Sequence, residues 1–439
     1  MIDVLRHKAY RHLYFSQLLS ILGTGLATVA LGLLAFEFSG STAGALLGTA
    51  MAIRMAANMG VSTLASAFIS RLPRRSTLVA MDGIRVCVAV MLPFVGEIWH
   101  IFVLIFILQS ASAVSSPIMQ ATIPDIFPDE RRYTRALSMT SIAYDMETVV
   151  SPLLAGLLLF VMTFHNLFFG TALGFVFSAG LIATSGLPAT QIQSQSSPIA
   201  RMLIGFSIYL RTPRLRGVLA LGMCAAMAIT MVVANTVVIV QGNMALGAQY
   251  TTLALAFFGL GSITAAFALP RLLDSYGDRM VMLSGGLLLV LGLGAGHLLT
   301  EYWHLLVIWA VLGTGFSAIQ TPIGRVLTRS CDGKDRNEAF AAQFALSHAC
   351  RLVGYLVCGL VGAQYGIGTA FLVIALLCAG SLAVAASIWP RIDPSILYHR
   401  HDDLHPDDPH WGAGGAVVDG GHAHAFAIDS LHRRWPRLK

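Results

Sequence analysis

Twelve apolar runs of about twenty residues, joined by short connections in which Lys and Arg fall only on alternate loops, leave this chain few folds to choose from. A helix needs ~20 residues to cross the hydrocarbon of a bilayer. Within it, only helices and closed barrels satisfy every backbone polar group. The runs lie at 13–36, 43–69, 77–95, 101–123, 136–162, 167–187, 217–240, 252–269, 280–299, 305–326, 339–363 and 369–389. Runs of this length predict an all-α membrane protein of twelve transmembrane helices.

Orientation follows from the basic residues, which are retained on the cytoplasmic side of short loops. Arg6, Lys8 and Arg11 precede span 1, Arg71, Arg74 and Arg75 follow span 2, and Arg131, Arg132 and Arg135 follow span 4. Arg211, Arg214 and Arg216 precede span 7, Arg271 and Arg279 follow span 8, and Arg329, Lys334 and Arg336 follow span 10. The loops around Ser39, Glu97, His165, Asn243, Glu301 and Tyr365 carry neither Lys nor Arg. Both termini are therefore expected in the cytoplasm, with the chain multi-pass in a cell inner (cytoplasmic) membrane. The first run is too long for a cleavable signal peptide and is expected to remain as a helix.

Composition removes the main alternatives. At 56% hydrophobic and 11% charged residues, the chain falls far below the ~25% charge of soluble domains. The net charge of +6 sits in loops and not on one basic face, so no nucleic acid partner is expected. Cys87, Cys224, Cys331, Cys350, Cys358 and Cys378 lie in apolar stretches or beside basic loops and read as free thiols.

Four regions follow: a six-helix bundle over 1–187, a linker over 188–216, a second six-helix bundle over 217–390 and a tail over 391–439. The linker opens as TQIQSQSSP and continues as a basic amphipathic helix, IARMLIGFSIYLRTPRLR, expected on the membrane surface. The bundles share a faint repeat. Ser116-Pro117-Ile118 closes span 4 as Thr321-Pro322-Ile323 closes span 10, and Ala155-Gly156-Leu157 in span 5 matches Cys358-Gly359-Leu360 in span 11. Such pseudo-symmetric halves suit a transporter.

Charges inside spans are costly, by about 2.5–3.5 kcal/mol each on insertion scales, and must face protein or water. Asp82 and Arg85, three residues apart, are expected to pair and to brace the loop after span 2. Arg54 sits at mid-span, beyond the reach of snorkelling. Asp145 and Glu147 occupy the middle of span 5 and point roughly 200° apart on the helix. Pro152 frees the carbonyl of Thr148 beside them. Carboxylate, hydroxyl and free carbonyl suit a cation or a proton carrier; a salt bridge to Arg54 or Arg351 is the other reading for one of the two acids. Aligning Gly156 with Gly359 sets His348 against Asp145 and Cys350 against Glu147. Imidazole, thiolate and carboxylate together suit late first-row divalent ions. Arg351 shares the His348 face, and with Arg54 it balances the two acids without substrate.

The tail holds seven of the fourteen His. His399, His401, His405, His410, His422 and His424 alternate with Asp402, Asp403, Asp407 and Asp408, and are expected to form a flexible segment that binds divalent metal loosely.

These residues resemble the major facilitator superfamily and, within it, the nickel-resistance exporters near the drug:proton antiporter branch. Ser70-Arg71-Leu72-Pro73-Arg74-Arg75 is similar to the superfamily's Asp-Arg-x-Gly-Arg-Arg loop, with Ser70 and Pro73 in place of Asp and Gly. Asp274-Ser275-Tyr276-Gly277-Asp278-Arg279 keeps both. Ala143-Tyr144-Asp145-Met146-Glu147 with Ser151-Pro152, Gln320-Thr321-Pro322 with Gly324-Arg325, and Gln343 with Ser347-His348-Ala349-Cys350 look like the exporter group, as does the His-rich C-terminus. Arg351 stands where the group would have a bulky uncharged residue. The resemblance implies two six-helix bundles around a central cavity. It implies efflux of nickel or cobalt in exchange for protons, through a site at Asp145, Glu147, His348, Cys350, Arg54 and Arg351. A gating loop would be formed by Arg71, Arg74, Arg75, Asp274, Gly277 and Arg279. The alternative is a proton-coupled exporter of drug-like organic compounds. No enzyme activity and no cofactor are expected, the metal being cargo; the partners are the bilayer, divalent ions and protons, and the chain is expected to be a monomer.

Overall fold

The computed structural model describes residues 2–68, 73–127, 132, 136, 139–140, 143, 150–151, 154–187, 198–331, 336–393, 396–400, 421–426, 428, 432 and 435. The first half contributes α1 (Lys8–Ser39), α2 (Ala43–Phe68), α3 (Arg74–Met91), α4 (Ile98–Ile126) and α5 (His165–Ala183). Most of the expected fifth span lies outside the described residues. The linker helix is α6 (Pro198–Arg211). The second half contributes α7 (Pro213–Val237), α8 (Ala248–Gly296), α9 (Tyr302–Gln320), α10 (Ile323–Ser330), α11 (Arg336–Tyr365) and α12 (Ile367–Ile388). Among the described residues, nine helices are long and apolar enough to cross a membrane. The fold is that of an all-α membrane protein.

Two departures from twelve simple spans have local causes. Spans 8 and 9 form one helical run, α8, broken at Gly277, whose φ of 73° reverses the chain. A side chain there would strain against its own carbonyl, which glycine avoids. Span 10 is interrupted after Gln320, because Pro322 cannot donate to the helix ladder, and resumes as α10, which carries Arg325 and Arg329. Pro117, its counterpart in the repeat, lies within the unbroken α4.

The surface is apolar where lipid would lie: Phe160, Phe267, Leu298 and Leu376 are all more than two-thirds exposed. The main core joins both halves through Leu34, Met51, Phe168, Met231, Trp309 and Phe371. A second core, with Tyr10, Leu13, Ile123 and Phe127, closes the basic-loop end of the first half.

The halves meet toward the end whose loops lack Lys and Arg. There α2 packs along α11 and, less, against α7. A Cβ on Gly48 would lie 2.6 Å from the Tyr355 carbonyl oxygen, and one on Gly359 would lie 2.7 Å from that of Gly44. One on Gly156 would lie 2.8 Å from the Thr252 hydroxyl. Backbones approach this closely only where side chains are missing. The two matched glycines of the repeat, Gly156 and Gly359, thus both sit at the junction of the halves.

The linker helix differs from a free surface helix. Its Gly205 abuts the Glu338 backbone, Ile208 and Tyr209 are buried against α11, and Leu203 and Leu210 stay outward. The tail also departs from the loose segment expected. Its described residues form β1 (Ile396–Arg400) paired antiparallel with β2 (Gly421–Ala425), with His399 opposite His422.

Candidate functional site

On α1, Ser16, Ser20, Thr24 and Thr28 recur every four residues and share one face. Thr24 and Thr28 donate to the carbonyls of Ser20 and Thr24, so each hydroxyl is satisfied within its own helix. Thr28 also accepts a hydrogen bond of 3.1 Å from Nη1 of Arg54 on α2. That contact answers the mid-span guanidinium: a hydroxyl on the neighbouring helix holds it in place.

Across the junction, α11 carries His348 and Arg351, both half-buried. Nδ1 of His348 lies 2.8 Å from the Phe344 carbonyl oxygen. A carbonyl can only accept, so Nδ1 carries a proton and, in the neutral ring, Nε2 is the nitrogen with the lone pair. The Phe344 ring also lies against the imidazole, tilted by 38° with 4.1 Å between ring centroids. The charges of both Arg351 and Arg54 act on this imidazole. The structure therefore brings Arg54, His348 and Arg351 to one place between the halves, with Thr28 behind them.

Cys350 turns toward the linker helix, although the charge of Arg351 also reaches it. It is buried on α11 and interacts electrostatically with Tyr209 of the linker helix. Tyr209 donates its hydroxyl to Oε1 of Gln343, and burial pushes its phenol well above the ordinary tyrosine value, so it remains a neutral donor. Gln343, read from sequence as part of the exporter-like helix, thereby anchors the linker. Asp145 and Glu147 lie outside the described residues. Ser151, one and two turns on, is fully buried.

The expected gating loops divide differently from their motif. Arg71 lies outside the described residues, Arg75 is exposed, and Arg74 makes a 2.5 Å ion pair with Asp125 at the end of α4. This pair braces the loop, a task the sequence assigned to Asp82 and Arg85. Those two do pair, but deep among α1, α3, α4 and α5. Ser178 donates to Asp82 at 2.7 Å, Arg85 donates to Ser20 at 2.6 Å, and the Arg85 guanidinium lies 4.8 Å from the Phe175 ring centroid.

In the second half, Asp274 is exposed and pairs loosely with Arg325 at 3.6 Å. The buried acid is Asp278, which takes Arg325 at 3.2 Å and Arg329 at 3.8 Å. Arg279 donates to the carbonyls of Trp389 and Ala386 at 3.1 and 3.0 Å. Asp393, just beyond α12, completes the group: Arg329 reaches it at 2.6 Å, Arg214 at 3.6 Å, and the Trp389 indole donates to it at 3.1 Å. Sequence reading missed Asp278, Arg214 and Asp393; the one available signal was that each stands at the membrane edge of a span.

Among the described residues no group of three or more His, Cys, Asp or Glu side chains is placed to hold a metal ion. His401, His405 and His410 lie outside the described residues. His399 and His424 are placed by strand register, and His422 is buried.

No curated protein sequence matches the chain. Among solved structures, the nucleoside transporter NupG superposes with a TM-score of 0.63 at 16% identity, covering 87% of this chain and 98% of that one. A D-xylose–proton symporter gives 0.68 at 12% identity, with 87% and 98% covered. A bacterial homologue of the human lysosomal transporter Spinster, inward-facing and unoccupied, gives 0.66 at 12% identity, with 87% and 97% covered. At these identities the likeness shows the fold alone. The sequence profile of the Major Facilitator Superfamily matches residues 13–248 and again 218–400, nearly the whole membrane domain. With the two halves joined at a glycine-lined junction, this chain belongs to the Major Facilitator Superfamily and is a multi-pass secondary transporter.

Proposed function

We propose that the protein exports a late first-row divalent cation, nickel or cobalt, from the cytosol in exchange for protons. The observation that carries the reading is His348: its Nδ1–H is tied to the Phe344 carbonyl at 2.8 Å, so in its neutral form the imidazole keeps its Nε2 lone pair at the junction of the halves. That is the form in which histidine ligates such ions, and the carbonyl is the second partner that orients it. Arg54 and Arg351 supply two positive charges nearby. A dication is stable there only with Asp145 and Glu147 ionised, so protons arriving at those carboxylates would expel it. Ion and proton then compete for one charge balance, which is the logic of an antiporter.

With basic loops retained on the cytoplasmic side, the closed end is the outer one. The close approach of Gly48 to Tyr355 and of Gly359 to Gly44 supports an inward-facing state, ready to load from the cytosol. Rocking about the junction would open the other side.

The second reading, export of drug-like organic compounds, is favoured by Arg54 and Arg351, since two guanidinium groups suit an anionic or hydrogen-bonding ligand better than a cation.

Nickel and cobalt accumulation in metal-sensitive bacterial cells separates the two. Cells expressing the wild type should hold less metal than empty-vector cells, and Asp145→Asn or His348→Ala should abolish the difference. Unchanged accumulation in every strain, with the protein present in the membrane, would reject these ions as cargo in favour of the organic compounds.

A further inference from the structure

The C-terminal segment is docked, and what it docks on is the charged cluster at the basic-loop end of the second half. The hairpin has two unlike faces. Ile396 and Tyr398 face outward, 62% and 55% exposed, whereas Leu397 on the opposite face is 3% exposed and His422 is fully buried. Strand alternation and register put Leu397 and His422 together on that inner face. Leu397, Phe426 and Ile428 join the apolar core of the membrane domain. Past β2, Phe426 packs edge-on against both His432 and Trp435, with ring centroids 4.7 and 5.1 Å away. Trp435 then closes over Arg214, whose guanidinium carbon is 4.7 Å from the ring centroid.

Arg214 is the reason this seat matters. Its side chain is 1% exposed, and it heads the chain of pairs Arg214–Asp393–Arg329–Asp278–Arg325. Those residues come from the start of α7, the break in α8, the helix α10 and the end of α12. Ion pairs open to water are weak and screened by salt, while pairs withdrawn from water are screened much less. By covering Arg214, the tail withdraws from water one end of a chain of pairs that links four separate helix ends, while Arg325 at the other end stays half-exposed.

The same docking hides ligand-type side chains. His422 is fully buried and His432 is 5% exposed. A divalent ion needs several donors arranged around it, and an imidazole buried by the docked segment is not open to such a shell. An ion that takes these rings therefore favours the undocked tail, and by linkage it shifts the population that way in proportion to its preference for that state.

We propose that the C-terminal segment is a clasp across the basic-loop end of the second half, seated by Trp435 on Arg214 and released by late first-row divalent cations that capture His422 and His432. The clasp does not depend on which cargo the protein carries, and its test involves no transport.

The test is hydrogen–deuterium exchange on the purified full chain, read in peptides over 274–280, 325–331 and 421–426. Trp435→Ala should raise exchange at least tenfold in all three regions relative to wild type. Adding Ni²⁺ to the wild type should do the same, and Mg²⁺, which prefers oxygen ligands, should not; His422→Ala with His432→Ala should remove the nickel response. Unchanged exchange in a folded Trp435→Ala protein would overturn the clasp. Slower or unchanged exchange on adding Ni²⁺ to the wild type would overturn release, slower exchange marking an ion bound within the docked hairpin. The nickel arm uses wild-type protein, so it decides that point even where Trp435→Ala fails to fold.

Discussion

Replacing Gly48 with alanine is the sharpest perturbation of the closed junction. The new methyl carbon would lie 2.6 Å from the Tyr355 carbonyl oxygen and 3.1 Å from the Gly359 Cα. Both obstacles are backbone atoms of α11, so relief requires the two helices to part, and no rotamer change suffices. Overpacking of this kind costs roughly 1–3 kcal/mol, and the cost falls only on the state in which α2 and α11 touch. A state open at that end has already separated them. The ratio of closed to open protein should therefore fall by a factor of about 5 to 150, at ~1.4 kcal/mol per tenfold. Spin labels at Glu97→Cys and Asn243→Cys, both exposed and in opposite halves at that end, placed in a chain with its native cysteines replaced, would report the two states by pulsed dipolar spectroscopy. Gly48→Ala should enlarge the long-distance population. Gly83→Ala, where an added Cβ meets nothing within 4 Å, should not. An unchanged distribution in folded Gly48→Ala protein would refute the steric argument, as would an equal response to Gly83→Ala.

Two further outcomes follow from buried polar groups. Asp82→Asn leaves the Arg85 guanidinium, 5% exposed, without its counter-ion and should lower stability by about 3–5 kcal/mol. Asp82→Asn with Arg85→Met should recover most of that in thermal unfolding of the purified protein, and a double variant no better than the single would show that the ion pair is not the cause. Tyr209→Phe removes the hydrogen bond to Gln343 and should cost about 1 kcal/mol. Faster hydrogen exchange at the start of α11 would report it, and exchange equal to wild type would mean that Gly205 and Ile208 hold the linker helix without the bond.

The spans were legible because a bilayer leaves little freedom: length, apolarity and the distribution of Arg along the loops together set number and order. The break at Pro322 and the reversal at Gly277 were legible as residue types, but their consequence was not. Where α10 points depends on Arg325 and Arg329 finding Asp278, a contact across a bundle. Arg54 was correctly read as needing a partner, yet Thr28 could not be named, since helix-to-helix neighbours are set by packing. The tail misled because its composition suits a solvated segment; what seats it is a handful of apolar residues, Leu397, Phe426, Ile428 and Trp435, spread among polar ones. Asp82 and Arg85 paired as their spacing required, but their depth among four helices was hidden.

The seat of Trp435 on Arg214 also fixes an order of manufacture. Arg214 leaves the ribosome more than two hundred residues before the ring that covers it, an interval of roughly 10–45 s at bacterial to eukaryotic speeds. Throughout that time the second half can insert its helices, but its basic edge stays wet and its ties stay loose. A chain that stops before Trp435 has every span and still lacks the ring that covers Arg214. The ring that covers Arg214 thus distinguishes a chain that has been made as far as Trp435 from one that merely crosses the membrane the right number of times.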